Sequence, residues 1–268
     1  MPMIAFLVRD KTIAIIGAGH LGTAVIQALY GRGHTKIIAT RRESSGSGLQ
    51  GGTHLDYLIN TYQGIESTTH NVNAVQRSDI VILTVKPYVI EEVSTQIAQA
   101  AQEKLVVSLA AARSLCYLKR YLDFSRVARV MTGVFVGDEI AAYTCSENNT
   151  QEDRAAIRYI FGSDAMEVPE ELLADRTWIA CDTGLIAKSL EKKISVLDLN
   201  PEQARLCYAA TLEAIGKALR CGMYEPEIFS EVAGKGSFTA KLHEKMEAEG
   251  MYTLLEDCVR MTLNVCRK

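Results

Sequence analysis

The chain has 268 residues, 48% of them hydrophobic and 23% charged, with a net charge of −3. That is enough chain for a large core or two domains, and the slight acidity argues against nucleic acid or an anionic membrane as partner. No apolar run reaches the roughly 18 residues needed to span a bilayer, and seven scattered cysteines and five dispersed histidines suggest neither a disulfide framework nor a metal site.

The opening MPMIAFLV has no basic start and meets Arg9, Asp10 and Lys11 at once, too short for a signal peptide, so a cytoplasmic protein is expected. Up to about residue 168, short apolar runs alternate with helical patterns. TIAIIG (12–17), KIIAT (36–40), DIVILTV (79–85), KLVVSLA (104–110) and RVARVM (126–131) read as buried strands of a parallel sheet. Helices are expected over 20–31, 87–102 and 151–161, and the Gly/Ser-rich stretch 41–52 reads as a mobile surface loop. The alternation predicts an α/β, doubly wound Rossmann-type domain over 1–168.

After residue 169 the strand pattern stops. A helix opens at Pro201 and closes before Gly222. Pro226 and the GKGS stretch (234–237) divide the remaining chain into shorter helices, the last expected near 250–266. The second domain, 169–268, is therefore all-helical. Its apolar faces are too many for its size, which predicts a homodimer or higher homo-oligomer.

Gly17, Gly19 and Gly22 stand between the first strand and the first helix. Gly17 suits a tight turn, Gly19 lets a pyrophosphate approach the backbone, and Gly22 allows close helix packing. The amides that open the helix, at His20 and Leu21, then face the phosphates. At the end of the second strand, Thr40, Arg41 and Arg42 replace the acid that binds a ribose diol; Glu43 comes slightly late. A hydroxyl and two guanidiniums suit a 2′-phosphate, so NADP(H) is expected, with NAD as the alternative.

Beyond this motif the chain resembles the pyrroline-5-carboxylate reductase family, which shares the two-domain plan of the 6-phosphogluconate and β-hydroxyacid dehydrogenases. SDIVILTVKPYVI resembles the family's strand ending in Val-Lys-Pro, here Val85, Lys86 and Pro87, and VVSLAAARSL its next strand and small-residue turn, beginning at Ala110. RVARVMTG holds the place of its Arg-Val-Met-Pro-Asn. EVPEELLADRTWIACDTG is similar to the entry into its helical dimerisation domain. VAGKGSFTAKL falls where the family has its Pro-Gly-Gly-Thr-Thr substrate loop.

The resemblance implies that Val85, Lys86, Pro87 and Ala110 line the cofactor, and that NAD(P)H reduces the cyclic imine 1-pyrroline-5-carboxylate to proline. It places substrate contacts at Gly184, Lys235, Gly236, Ser237 and Thr239, with Thr239 on the family's substrate-contacting threonine. The loop residues by themselves fit either a carboxylate-holding loop or a helix break capped by Ser237.

Three departures fall at this inferred site. Thr132-Gly133 replaces Pro-Asn; CDTGLIA (181–187) keeps only Gly184 of Gly-Ser-Gly-Pro-Ala and adds Asp182; Lys235 replaces the loop proline. Gly184-x-x-x-Lys188 also resembles the lysine motif of the β-hydroxyacid dehydrogenases, where the lysine is general acid and base. A reductase or dehydrogenase of another imine, keto or hydroxy acid, and a dinucleotide-binding protein without turnover, stay as alternatives.

Overall fold

The first apolar run of the chain forms the centre of a sheet. In a computed structural model that describes residues 8–42 and 54–267, Ile13, Ala14, Ile15 and Ile16 are all fully buried. Buried isoleucines of this kind contribute roughly 1.5–3 kcal/mol each. The opening residues Met1–Leu7, Glu43 and most of the Gly/Ser-rich stretch lie outside the described residues.

In chain order the first unit contains β1 (Ile13–Ile16), α1 (His20–Gly31), β2 (Ile37–Thr40), α2 (His54–Thr61), β3 (Glu66–Thr68), α3 (Asn71–Gln76) and β4 (Ile80–Leu83). A 3₁₀ turn (Pro87–Val89) then leads into α4 (Ile90–Ile97), β5 (Leu105–Ser108), α5 (Leu115–Lys119), β6 (Arg126–Met131), β7 (Ala142–Cys145), α6 (Gln151–Phe161) and β8 (Met166–Glu167). The strand order is β3-β2-β1-β4-β5-β6-β7-β8. Every pairing is parallel except β6 with β7, where Ala128 faces Cys145 and Met131 faces Ala142. β1 pairs with β2 on one side and β4 on the other, so the strand order reverses beside β1.

Alternation along each strand supplies two cores. Ile13, Ile15, Ile37, Ile82, Val107 and Val130 pack under α1, α2 and α6. Ala14, Ile16, Ile38, Val81, Leu83 and Val106 pack under α3, α4 and α5. Burial on both faces is why these strands read as continuous apolar runs rather than as alternating ones. The fold class is thus an α/β doubly wound sheet followed by a helical region.

All five expected strands form, and α1 and α6 keep the expected bounds. Three strands, β3, β7 and β8, were not expected: β3 and β8 are short, partly exposed edge pieces, while β7 is a buried four-residue strand. The helix expected over 87–102 is shorter. Pro87 opens a 3₁₀ turn, so the α-helix starts only at Ile90; it ends at Ile97, and the chain then turns, with Glu103 at φ +59°, into β5.

The second unit is Cys181–Asn264; the first is Met1–Ala180 with Val265–Lys268. The boundary at 180/181 falls inside the long helix α7 (Leu173–Ile194), beyond which come α8 (Pro201–Arg220), α9 (Glu225–Val232), α10 (Phe238–Ala248) and α11 (Met251–Cys266). Proline opens α8, with the Asn200 side chain accepting from the Glu202 amide at 2.9 Å. The Tyr252 hydroxyl meets His243 Nδ1 at 3.2 Å, and the Phe229 ring meets the His243 ring edge-on.

Candidate functional site

The three glycines differ in what the protein itself demands of them. Gly17 has φ +99°, and a Cβ there would lie 2.6 Å from Val85 Cγ1. A Cβ at Gly22 would lie 2.7 Å from the Gly17 carbonyl oxygen and 2.8 Å from Thr84 Oγ1. Both positions are closed to any side chain by backbone and packing. Gly19 is another matter: its φ of −88° is open to any residue, and a Cβ there would meet only the Gly17 oxygen at 3.9 Å. The fold has no need of glycine at 19. Room kept clear beside a helix start is what a close-lying diphosphate requires.

The loop is held rigidly from beneath. The Gly17 and Ala18 amides both donate to the Thr40 carbonyl, at 3.0 and 2.7 Å, and Thr84 Oγ1 donates to the Gly17 carbonyl at 2.9 Å. Gly19 is the N-cap of α1, no side chain caps that helix, and no acid stands in its first turn. The amides of His20, Leu21 and Gly22 therefore lack intrahelical partners and carry the positive end of the helix dipole. Thr84 was missed by the sequence reading; its signal is a polar residue closing the apolar run IVIL.

At the end of β2 one expectation needs correcting. The Thr40 hydroxyl is fully buried and donates to Asn71 Oδ1 at 2.6 Å, and Asn71 in turn donates to Gln96 at 2.9 Å. It faces α3 rather than solvent, so a 2′-phosphate cannot take it without breaking a buried hydrogen bond. The Thr40 carbonyl, by contrast, is what holds the Gly17 and Ala18 amides of the loop. Arg41 is half-buried and Arg42 exposed, the latter 3.7 Å from Glu92 in a solvent-screened pair. Two guanidiniums thus remain at the strand end.

Along the same carboxyl edge, Val85 packs on Gly17, Lys86 caps the turn that Pro87 opens, and Ala110 is buried at the end of β5. Arg113, which the sequence reading also missed, donates from Nε to the Pro87 carbonyl at 3.0 Å and lies over the Tyr117 ring. Ala112 has φ +53°, a left-handed conformation that costs a residue with a Cβ about 1–2 kcal/mol. The cofactor residues expected on the glycine loop and after β4 and β5 thus stand at the ends of three adjacent strands, with Arg41 and Arg42 just beyond the end of β2.

The expected substrate residues all lie in the second unit. Gly184 and Lys188 sit one turn apart on α7; Lys188 is exposed and pairs with Glu191 at 2.7 Å. The CDTGLIA stretch is continuous helix. Lys235, Gly236 and Ser237 form a tight turn between α9 and α10, in which the Ser237 amide donates to the Gly234 carbonyl at 2.9 Å and Gly236 has φ +83°. Ser237 caps α10, its hydroxyl accepting from the Ala240 amide at 3.1 Å. Its hydroxyl is engaged, as the helix-break reading expects. Thr239 Oγ1 has no hydrogen-bond partner among the described residues, and the Phe238 and Thr239 amides open the helix without one. Among the described residues no group of His, Cys, Asp and Glu is placed to hold a metal ion, and no helix is long and apolar enough to cross a membrane.

Comparison with known proteins agrees with this geometry. Residues 12–112 match the family described as NADP oxidoreductase, coenzyme F420-dependent. A pyrroline-5-carboxylate reductase of Methanosarcina acetivorans is 29% identical over 91% of this chain and 92% of its own length. One from Kluyveromyces lactis is 24% identical over 96% and 98%. Among solved structures, Plasmodium falciparum pyrroline carboxylate reductase with NADP bound superposes with a TM-score of 0.80 at 14% identity, covering 97% of this chain and 98% of that one. The Coxiella burnetii enzyme gives 0.74 at 20%, over 96% and 97%. These structures share the fold. Together with the glycine loop and the Val-Lys-Pro turn, the match to the curated relatives leads to one conclusion: the chain is an NAD(P)H-dependent reductase, similar over nearly its whole length to pyrroline-5-carboxylate reductases.

Proposed function

We propose that the protein uses NADPH to reduce 1-pyrroline-5-carboxylate to proline. The observation that carries the cofactor half is Gly19, a glycine that neither backbone nor packing explains and that a diphosphate does. The amides of His20, Leu21 and Gly22 hold that diphosphate, and Arg41 and Arg42 favour a 2′-phosphate over a free diol. The substrate half rests on the curated relatives, which are named for this reaction, and on the chemistry of the α9–α10 turn.

When bound, the reduced nicotinamide supplies a hydride. The protonated imine is already electrophilic and carries the proton that ends on the ring nitrogen, so the protein's task is grip and alignment. Two free amides at the start of α10, the Thr239 hydroxyl and the Lys235 ammonium form a set suited to a carboxylate. A lysine acid–base pair is not required. Lys188 is exposed and paired with Glu191, which favours this reading over the hydroxyacid dehydrogenase one.

The test is NADPH oxidation, measured by absorbance, with purified protein and 1-pyrroline-5-carboxylate, and with proline assayed as product. Native protein and Lys188→Met should both turn over. Absence of proline with native protein, or loss of nearly all activity in Lys188→Met, would reject the reading in favour of another imine, keto or hydroxy acid.

A further inference from the structure

The connection between β6 and β7 carries a charged device that the phosphate loop does not explain. Gly133 lies just beyond β6. A Cβ there would run into the Glu139 carboxylate, whereas its backbone conformation is not one reserved for glycine. A side chain at 133 would have to displace the carboxylate that fills that space, which comes from six residues on. Glu139 accepts from the Gly133 amide at 3.2 Å and the Phe135 amide at 3.4 Å. It pairs with Arg176 Nη2, and Arg176 Nε donates to the Ile140 carbonyl at 2.7 Å. The two side chains are 19% and 8% exposed, so this is a largely desolvated pair that closes the neck of the 132–140 connection.

The neck also retains unused polar capacity. Thr132 Oγ1 and Arg176 Nη1 are buried and have no hydrogen-bond partner among the described residues. Buried polar groups are nearly always paired, and exceptions ask for an explanation. In a 3-2-1-4-5-6 sheet the two halves of a dinucleotide divide at β1, and the second mononucleotide belongs to the β4-β5-β6 half, outside the carboxyl ends of the strands. The neck stands at the carboxyl end of β6.

We infer that Glu139, fixed by Arg176, is a positioning residue for the nicotinamide end of the cofactor, and that the group it positions is the Thr132 hydroxyl. Its carboxylate occupies the space a side chain at 133 would fill and holds the backbone of 132–135 through two amides. The inference rests on the NADP(H) reading and extends it to residues outside the glycine loop.

The experiment compares two nucleotides: NADPH, and 2′-phospho-ADP-ribose, which has the same phosphates but no nicotinamide. Each is titrated by calorimetry against native protein, Glu139→Ala, Thr132→Val and the conservative Arg176→Lys. Glu139→Ala and Thr132→Val should each weaken NADPH about ten-fold, the scale of one lost buried hydrogen bond, while 2′-phospho-ADP-ribose is held as before. Arg176→Lys should fall between Glu139→Ala and native. Gly133→Asn alone should weaken NADPH, and Gly133→Asn combined with Glu139→Ala should be less harmful than the two losses added, because the second change vacates the space the first needs. Equal weakening of both nucleotides means the neck is only structural, and unchanged NADPH binding means it has no role; either overturns the inference. Native protein that binds neither nucleotide overturns the cofactor reading itself, a failure separate from a native protein that binds both with variants that do not discriminate.

Discussion

A single carbon atom separates the roles of the three loop glycines. At Gly19 an added methyl meets open space, so Gly19→Ala should fold with an unchanged melting temperature yet lose most NADPH affinity in a fluorescence titration. Gly17→Ala forces a Cβ into a left-handed residue and against Val85, so it should lower thermal stability by about 1–3 kcal/mol in a denaturation experiment. If Gly19→Ala unfolds the protein or leaves NADPH binding untouched, the phosphate assignment is wrong. The arginines are graded by burial. Arg41, half-buried, should matter more than Arg42, which is exposed and already near Glu92. Arg41→Ala is expected to cost NADPH binding on the order of 1.5–3 kcal/mol, as for a charge-assisted contact shielded from water, and to leave NADH binding within about two-fold, the scale of a screened surface charge. A native preference for NADH would contradict it. Thr40→Val should act differently again, loosening the loop from beneath by removing its bond to Asn71.

The element on which the proposed chemistry depends most is the turn into α10. Ser237 and Thr239 stand two residues apart and divide the work. Ser237 is the helix cap, so Ser237→Ala should lower stability by about 1 kcal/mol. The Thr239 hydroxyl holds nothing within the described chain, so Thr239→Ala should leave the melting temperature alone and slow turnover. A neutral hydrogen bond of roughly 0.5–1.5 kcal/mol gives a few-fold effect, and one that strengthens in the transition state gives more. Steady-state kinetics beside thermal melts separate the two. If Thr239→Ala matches the native rate on a verified substrate, the turn is a helix break and no more.

For the whole molecule, the balance of burial differs between the units. The sheet's apolar residues are nearly all buried, whereas the helical unit leaves Leu206, Phe238, Leu254 and Met261 exposed at 67%, 86%, 64% and 64%. Leu254 and Met261 are seven residues apart on α11, on one face of the helix. We propose that a second copy of the chain covers this apolar surface. Sedimentation should find a dimer or larger assembly at micromolar concentration, and Leu254→Glu should weaken it. A fully active monomer would end the idea.

The amino-acid sequence by itself determined the doubly wound sheet and the glycine loop, because strands buried on both faces are continuous apolar runs and the loop's needs are local. The bounds of α1 and α6 were equally legible: a Thr150 capping box starts α6, and Gly162 ends it. Edge strands β3 and β8 were not, since two or three solvent-facing residues leave no period to read. Nor did the sequence say that Thr40 turns inward, because a hydroxyl's direction depends on Asn71, 31 residues on. The same holds for Thr84 under Gly17, and for Arg176 beneath a loop that ends 36 residues earlier at Ile140. Local pattern fixes which residues stand at the end of a strand. Only the packing of distant segments decides which of their polar atoms are engaged within the fold and which are left for a ligand.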